Sequence, residues 1–139
     1  MVTTSSFFSK YHSQIKDRVA IVFAAREGLP AAAFFEVAEL TGYKREQLAQ
    51  ILNTSLKTFQ RYGQDEKKLS PQSSEMMLKV MALFQTGESV FGSITSFKRW
   101  LEKPAFGLGG QLPFDLMRTS GGIDLVSEQL VRMEYGDLA

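Results

Sequence analysis

The chain has 139 residues, of which 44% are hydrophobic, with sixteen Lys and Arg set against fifteen Asp and Glu; this is the composition of an ordinary globular protein, and the length fits one domain or two small ones sharing a core. No apolar run approaches the ~18 residues of a membrane span, and Met1–Ser6 lacks the basic and apolar blocks of a secretory signal. Zero cysteine excludes disulfides, thiolate nucleophiles and cysteine zinc sites, and the single His12 excludes two-histidine metal motifs, so a reducing, cytoplasmic compartment and no cofactor are expected.

Helical periodicity runs through most of the chain, and the fold class expected is all-α. From Phe8, apolar residues recur at Tyr11, Ile15, Val19, Val22 and Phe23, and Gly28 ends that run. Pro30 suits the first turn of a second helix, with Phe34 and Val37 inward and Gly42 as its stop. Short runs follow at Leu48–Leu52 and Leu56–Gly63. Ser70-Pro71 is a cap followed by a first-turn proline. The helix it opens carries Met77, Val80, Met81 and Phe84 on one side and is expected to stop at Gly87. Phe97, Trp100 and Leu101 mark a sixth helix, ended by Pro104, with both aromatics expected in the core together with Phe106. Residues 105–122 are rich in glycine and read as loop with one turn at Phe114–Met117. A last helix is expected from about Ile123 to Tyr135, with Val126, Leu130 and Met133 inward.

Residues 45–62 form the most informative pattern: a helix, a tight turn at Asn53-Thr54-Ser55, and a second helix. A helix-turn-helix needs a small residue where its helices cross, and Ala49 is placed for that. Its turn needs a residue tolerant of positive φ, which Asn53 supplies. Ser55 is placed to cap the second helix, and Leu56 and Phe59 to anchor it. Lys57, Gln60 and Arg61 then share the outward face, with Gln64 just beyond. Gln pairs with adenine, Arg with guanine, and Lys neutralises phosphate. The candidate DNA-binding residues are therefore Lys44, Arg45, Ser55, Lys57, Thr58, Gln60 and Arg61, with Thr58 also placed to complete the helix start; Lys67 and Lys68 flank them. Residues 44–68 carry six basic against three acidic side chains, whereas residues 104–139 carry two against five. A basic middle and an acidic end point to two different partners. The other reading of 45–62 is an ordinary helical hairpin with a solvated polar face.

Residues 45–84 resemble an Xre-type helix-turn-helix. The stretch 91–136 resembles the C-terminal domain of the Xre/MbcA/ParS-type antitoxins, through Phe91-Gly92, Trp100-Leu101, Pro104, Leu108-Gly109-Gly110, Pro113, Leu116, Thr119, Gly122, Val126, Leu130 and Arg132-Met133-Glu134-Tyr135-Gly136. Asn53 departs from the glycine usual in Xre-type turns. The resemblance implies a type II antitoxin that neutralises an NAD-depleting, RES-domain toxin encoded by the adjacent gene and represses its own promoter at operator DNA. Three regions are expected: residues 1–43 as N-terminal helices, which the resemblance does not cover, 44–88 as the helix-turn-helix, and 89–139 as the toxin-binding domain. The aromatics Phe7, Phe8, Tyr11, Phe23, Phe34 and Phe35 exceed what two helices need, and part of that surface is expected to form a homodimer.

Toxin contact is expected from the last helix and the tail: Glu128, Arg132, Glu134, Tyr135, Gly136, Asp137, Leu138 and Ala139. An enzyme that uses NAD holds a pyrophosphate with Arg and backbone amides, so an acidic tail, with the terminal carboxylate expected at Ala139, is placed to occupy that pocket. Its alternative is a solvated tail. Gly107-Leu108-Gly109-Gly110 fits neither phosphate-loop pattern and no strand precedes it. No arrangement of His, Asp or Glu supports an enzyme. The competing function is a helix-turn-helix repressor with a ligand-sensing C-terminal domain, in which the 104–122 loop would line a pocket; a third is an adaptor that has lost DNA binding.

Overall fold

A computed structural model describes residues 3–136. Its helices are α1 (Thr4–Ile15), α2 (Arg18–Glu27), α3 (Ala32–Thr41), α4 (Arg45–Ile51), α5 (Leu56–Gln64), α6 (Pro71–Phe91), α7 (Ile94–Leu101), α8 (Pro113–Leu116) and α9 (Ser120–Glu134), with a 3-10 turn at Phe106–Leu108. Among the described residues there is no strand, and Pro30 and Lys68 form an isolated antiparallel bridge. The all-α expectation holds. Two compact units divide the chain, with the boundary inside α6 after Met81.

In the first unit, the run expected as one helix from Phe8 to Gly28 is two. Asp17 is extended (φ −160°, ψ 175°), and its carboxylate accepts the Ala20 N–H at 2.8 Å. That cap starts a new helix, and the apolar spacing does not carry its face across the break. Tyr11 and Ile15 are buried, whereas Val19, Val22 and Phe23 are exposed. α1 is tied to α3 at Glu36, whose carboxylate accepts from Lys10 Nζ at 2.7 and 2.9 Å and from Tyr11 Oη at 2.8 Å. Burial, then the hydrogen bond and charge of Glu36, push the Tyr11 phenol above its ordinary pKa.

α3 opens at Ala32, two residues after the expected Pro30. Pro30 lies in the bridge to Lys68 instead, and its carbonyl accepts the Ala33 N–H at 3.0 Å. Gly42 ends α3 in the left-handed region, as its position predicts. Phe34 of α3 stacks on Phe59 of α5 with ring centres 4.0 Å apart, and both are fully buried. The buried Ser74 hydroxyl accepts the Leu29 N–H at 2.9 Å, so the start of α6 satisfies a donor in the connection before α3.

In the second unit, α6 does not stop at Gly87 but continues to Phe91. The Phe97 ring lies against Gly87, where a Cβ would collide with it. Packing therefore overrides the roughly 1 kcal/mol that glycine costs inside a helix. Phe84, Phe91, Phe97 and Trp100 pack in a chain of ring pairs 5.0 to 6.1 Å apart. Phe97 is fully buried and Trp100 half-buried. α9 begins at Ser120 rather than Ile123, because the Thr119 hydroxyl accepts the Gly122 N–H at 3.0 Å and caps it. Gly121 and Gly122 belong to its first turn, not to a loop. Gly122 lies so close to the Leu116 carbonyl that no side chain fits there.

Candidate functional site

The first unit builds the helix, turn and helix of residues 45–64 as the residue types dictate. Asn53 takes φ +53°, and the Thr54 N–H closes the turn onto the Ala49 carbonyl at 3.1 Å. Ala49 is buried at the crossing, and Phe59 is fully buried. Leu56, the other expected anchor, is half-buried. Ser55 Oγ accepts the Thr58 N–H at 3.1 Å and lies 2.8 Å from Thr58 Oγ1. Both hydroxyls are thus engaged in starting α5. Lys57, Gln60, Arg61 and Gln64 are exposed, as are Lys44, Arg45, Lys67 and Lys68. The Lys44 N–H donates to Gln47 Oε1 at 3.1 Å, which fixes the start of α4.

Beside α5 lies an open groove of about 760 Å³. Its polar lining is Arg45, Gln60, Gln64 and Lys67 with one acid, Glu66, and Phe35 and Tyr62 line it as well. The Arg45 guanidinium lies 4.8 Å from the Phe35 ring centre, and Lys67 Nζ lies 5.5 Å from that of Tyr62. Aromatic faces hold these two cations in place without neutralising them. The geometry offers amide and guanidinium donors along a helix with further cations at its margin, the chemistry of base edges and phosphates. Phe35 and Tyr62 were not legible as members of this surface. Arg45 meets Phe35 only through tertiary packing, and no local spacing signals it.

In the second unit, Glu128, Arg132, Glu134, Tyr135 and Gly136 are all exposed. Asp137, Leu138 and Ala139 lie outside the described residues. α9 buries Ile123, Val126 and Leu130 and leaves Leu125, Val131 and Tyr135 in solvent. Residues 105–111 form a closed turn in which the buried Ala105 carbonyl accepts the N–H groups of Leu108 and Gly110, each at 3.0 Å. Its N–H donates to the Gln111 carbonyl at 3.0 Å. Gly107 lies against the Gln129 side-chain amide with no room for a Cβ. Gln129 is buried, and its Oε1 accepts from Arg132 Nε at 3.2 Å and from Arg132 Nη2 at 2.5 Å.

Phe106 corrects the sequence reading. It was expected in the core and is 85% exposed. A ring at the tip of a turn bounded by Pro104 and Gly107 faces outward, because the turn's inner surface is filled by Ala105 and by Gly107 against Gln129. That flanking sequence was the signal available for it. Leu125 and Val131 lie off the Val126–Leu130–Met133 stripe, which was the signal for them.

Comparison with known families matches residues 20–82 to the antitoxin Xre-like helix-turn-helix domain, and residues 86–136 to the antitoxin Xre/MbcA/ParS C-terminal toxin-binding domain. The chain belongs to the Xre-type antitoxins. No curated protein matches it. The antitoxin's first match runs from within α2 to within α6 and includes the α4–α5 hairpin, and its second takes in the 105–111 turn and α9. The chain is thus an antitoxin of a toxin–antitoxin system with a DNA-binding module and a toxin-binding module. Among the described residues no group of three or more His, Asp or Glu is placed to hold a metal ion, and no helix is long and apolar enough to cross a membrane.

Proposed function

We propose that this antitoxin neutralises a RES-type, NAD-depleting toxin encoded by the adjacent gene, and that it represses their shared operon by binding operator DNA. One observation carries the reading: a helix-turn-helix with a basic, amide-bearing outward face and a toxin-binding domain whose last helix and following residues carry Glu128, Glu134 and Asp137 occur in one chain. Lys57, Gln60 and Arg61 read the DNA. Lys44, Arg45, Lys67 and Lys68 neutralise its backbone. Ser55 and Thr58 act by fixing the start of α5.

On the toxin side, Glu134 sits at the C-terminal end of α9 and Asp137 follows it. A negative charge there opposes the helix dipole, an arrangement that costs a few tenths of a kcal/mol and does nothing for the helix. An anionic end suits the Arg and amide groups with which an NAD enzyme holds pyrophosphate. The end of α9 and the residues after it occupy that site and exclude NAD. The outward placement of Phe106 also favours presentation to a protein over lining of a ligand pocket. The exposed Val19, Val22 and Phe23, at i, i+3 and i+4 on α2, support a homodimer through that helix, spanning two operator half-sites.

The test is co-expression with the adjacent gene product, followed by pull-down and assay of cellular NAD. A stable complex with NAD restored is expected. No complex and no rescue would transfer the weight to a repressor whose C-terminal domain senses a small ligand. Truncation after Tyr135 then isolates the tail. Undiminished neutralisation by the truncated chain would end the occlusion mechanism.

A further inference from the structure

We infer that Phe106 is the apolar anchor with which the C-terminal domain seats on its toxin, and that Gln129 is the positioning residue that holds Phe106's turn and the Arg132 guanidinium in one fixed relation. The inference rests on the antitoxin reading above and names where that reading's binding energy is concentrated.

Phe106 is 85% exposed, whereas Phe84 and Phe97 of the same unit are fully buried. A mobile loop would leave such a ring disordered and costly to bind. This ring stands on a turn closed by hydrogen bonds at both ends, from Ala105 to Gln111 and from Leu108 and Gly110 to Ala105. Gly107, the next residue, rests directly on the Gln129 amide. The same amide oxygen accepts two N–H groups of Arg132. One buried glutamine therefore sets both the aromatic tip and the cation. Preorganisation of this kind lowers the entropy cost of association. Phe and Arg are both enriched at protein interfaces relative to the rest of the surface, and Arg is among the residues most often found as hot spots.

The partner is the toxin, because the turn and α9 both fall within the matched toxin-binding domain, residues 86–136. Its complementary surface is an apolar pocket sized for a phenyl ring, with a hydrogen-bond acceptor at its rim for Arg132. Arg132 lies in the last turn of α9, two residues before Glu134, so the two contacts adjoin: Phe106 and Arg132 supply affinity, whereas Glu134 and the residues after it supply occlusion.

The experiment uses the full chain and the purified toxin encoded beside it. Binding is measured by calorimetry at low salt and at about 0.5 M salt, with thermal melting and operator binding as controls. Phe106→Ala is expected to weaken toxin binding by about 30-fold or more at both salt concentrations. Melting temperature and DNA affinity stay unchanged, because the ring supports nothing in the fold. Phe106→Leu restores most of the loss. Gln129→Ala and Arg132→Ala are then combined: if Gln129 positions Arg132, the double variant loses clearly less than the sum of the two single losses. Wild-type binding with Phe106→Ala within twofold of it would overturn the anchor and leave the antitoxin reading intact. Failure of the wild-type chain to bind the toxin would overturn both. Fully additive losses in the double variant would overturn the positioning role of Gln129.

Discussion

α5 and α9 are both helices capped by a hydroxyl, from Ser55 and from Thr119, and both bury one stripe. They differ in what they leave outside. α5 exposes Lys57, Gln60, Arg61 and Gln64, with no exposed large apolar residue between them. α9 exposes Leu125, Val131 and Tyr135 interleaved with Glu128, Arg132 and Glu134. The first surface suits a polyanion and is weakened by salt. The second suits another protein, and its apolar part is indifferent to salt. One chain thus carries two recognition surfaces of different physics, and perturbations should separate them.

The largest expected effect is structural and confined to the α5 side. Phe59→Ala removes a fully buried ring stacked on Phe34 and should cost about 3–5 kcal/mol in denaturant unfolding. A loss under about 1 kcal/mol would mean that α5 is held by something other than this stack. Next come the outward side chains. Arg61→Ala and Gln60→Ala should each weaken operator binding by about 1–3 kcal/mol, while Lys57→Ala should lower the salt slope by about one. Toxin affinity should not move in any of the three. A shared loss of both affinities would erase the distinction between the two surfaces.

Smaller effects sharpen the local account. Ser55→Ala should destabilise the helix-turn-helix by about 1 kcal/mol, read from the shift in thermal melting, since it removes the α5 cap. The smallest effect at neutral pH comes from Tyr11. Its phenol is protonated in the fold and its pKa is raised, by burial first and Glu36 second. The unfolded chain releases that proton more readily, near pH 10. Tyr11 therefore contributes stability that is intact below about pH 10 and is lost as pH rises from there toward the folded value. Circular dichroism during alkaline titration should show Tyr11→Phe declining less steeply than the wild type above pH 10. Parallel curves would assign the alkaline loss to other groups.

Much of the α4–α5 hairpin was legible because its requirements are local. A positive-φ turn at Asn53, a hydroxyl cap at Ser55 and a small crossing residue at Ala49 are each set by residue type and spacing. The all-helical class followed from periodicity. The failures share a cause. The run from Phe8 to Phe23, Gly87 and Gly121-Gly122 were each read for one local tendency when another interaction decided. The Asp17 carboxylate capped a new helix within an unbroken apolar period. The Phe97 ring made Gly87 a packing residue. The Leu116 carbonyl placed Gly122 inside a helix.

The sequence by itself determined the helical class, the helix-turn-helix, the outward basic and amide side chains of α5, and the family pattern of residues 91–136. These rest on interactions within a few residues, where spacing and residue type are sufficient. Only the tertiary structure decided which apolar residues remain outside. Phe23 and Phe106 are aromatic like Phe34 and Phe97, yet they are exposed because no other element packs over them. Tertiary structure also brought Arg45 to Phe35, and Gly107 to the Gln129 amide that Arg132 also contacts. Such contacts depend on where whole helices come to rest, and periodicity along the chain does not encode them.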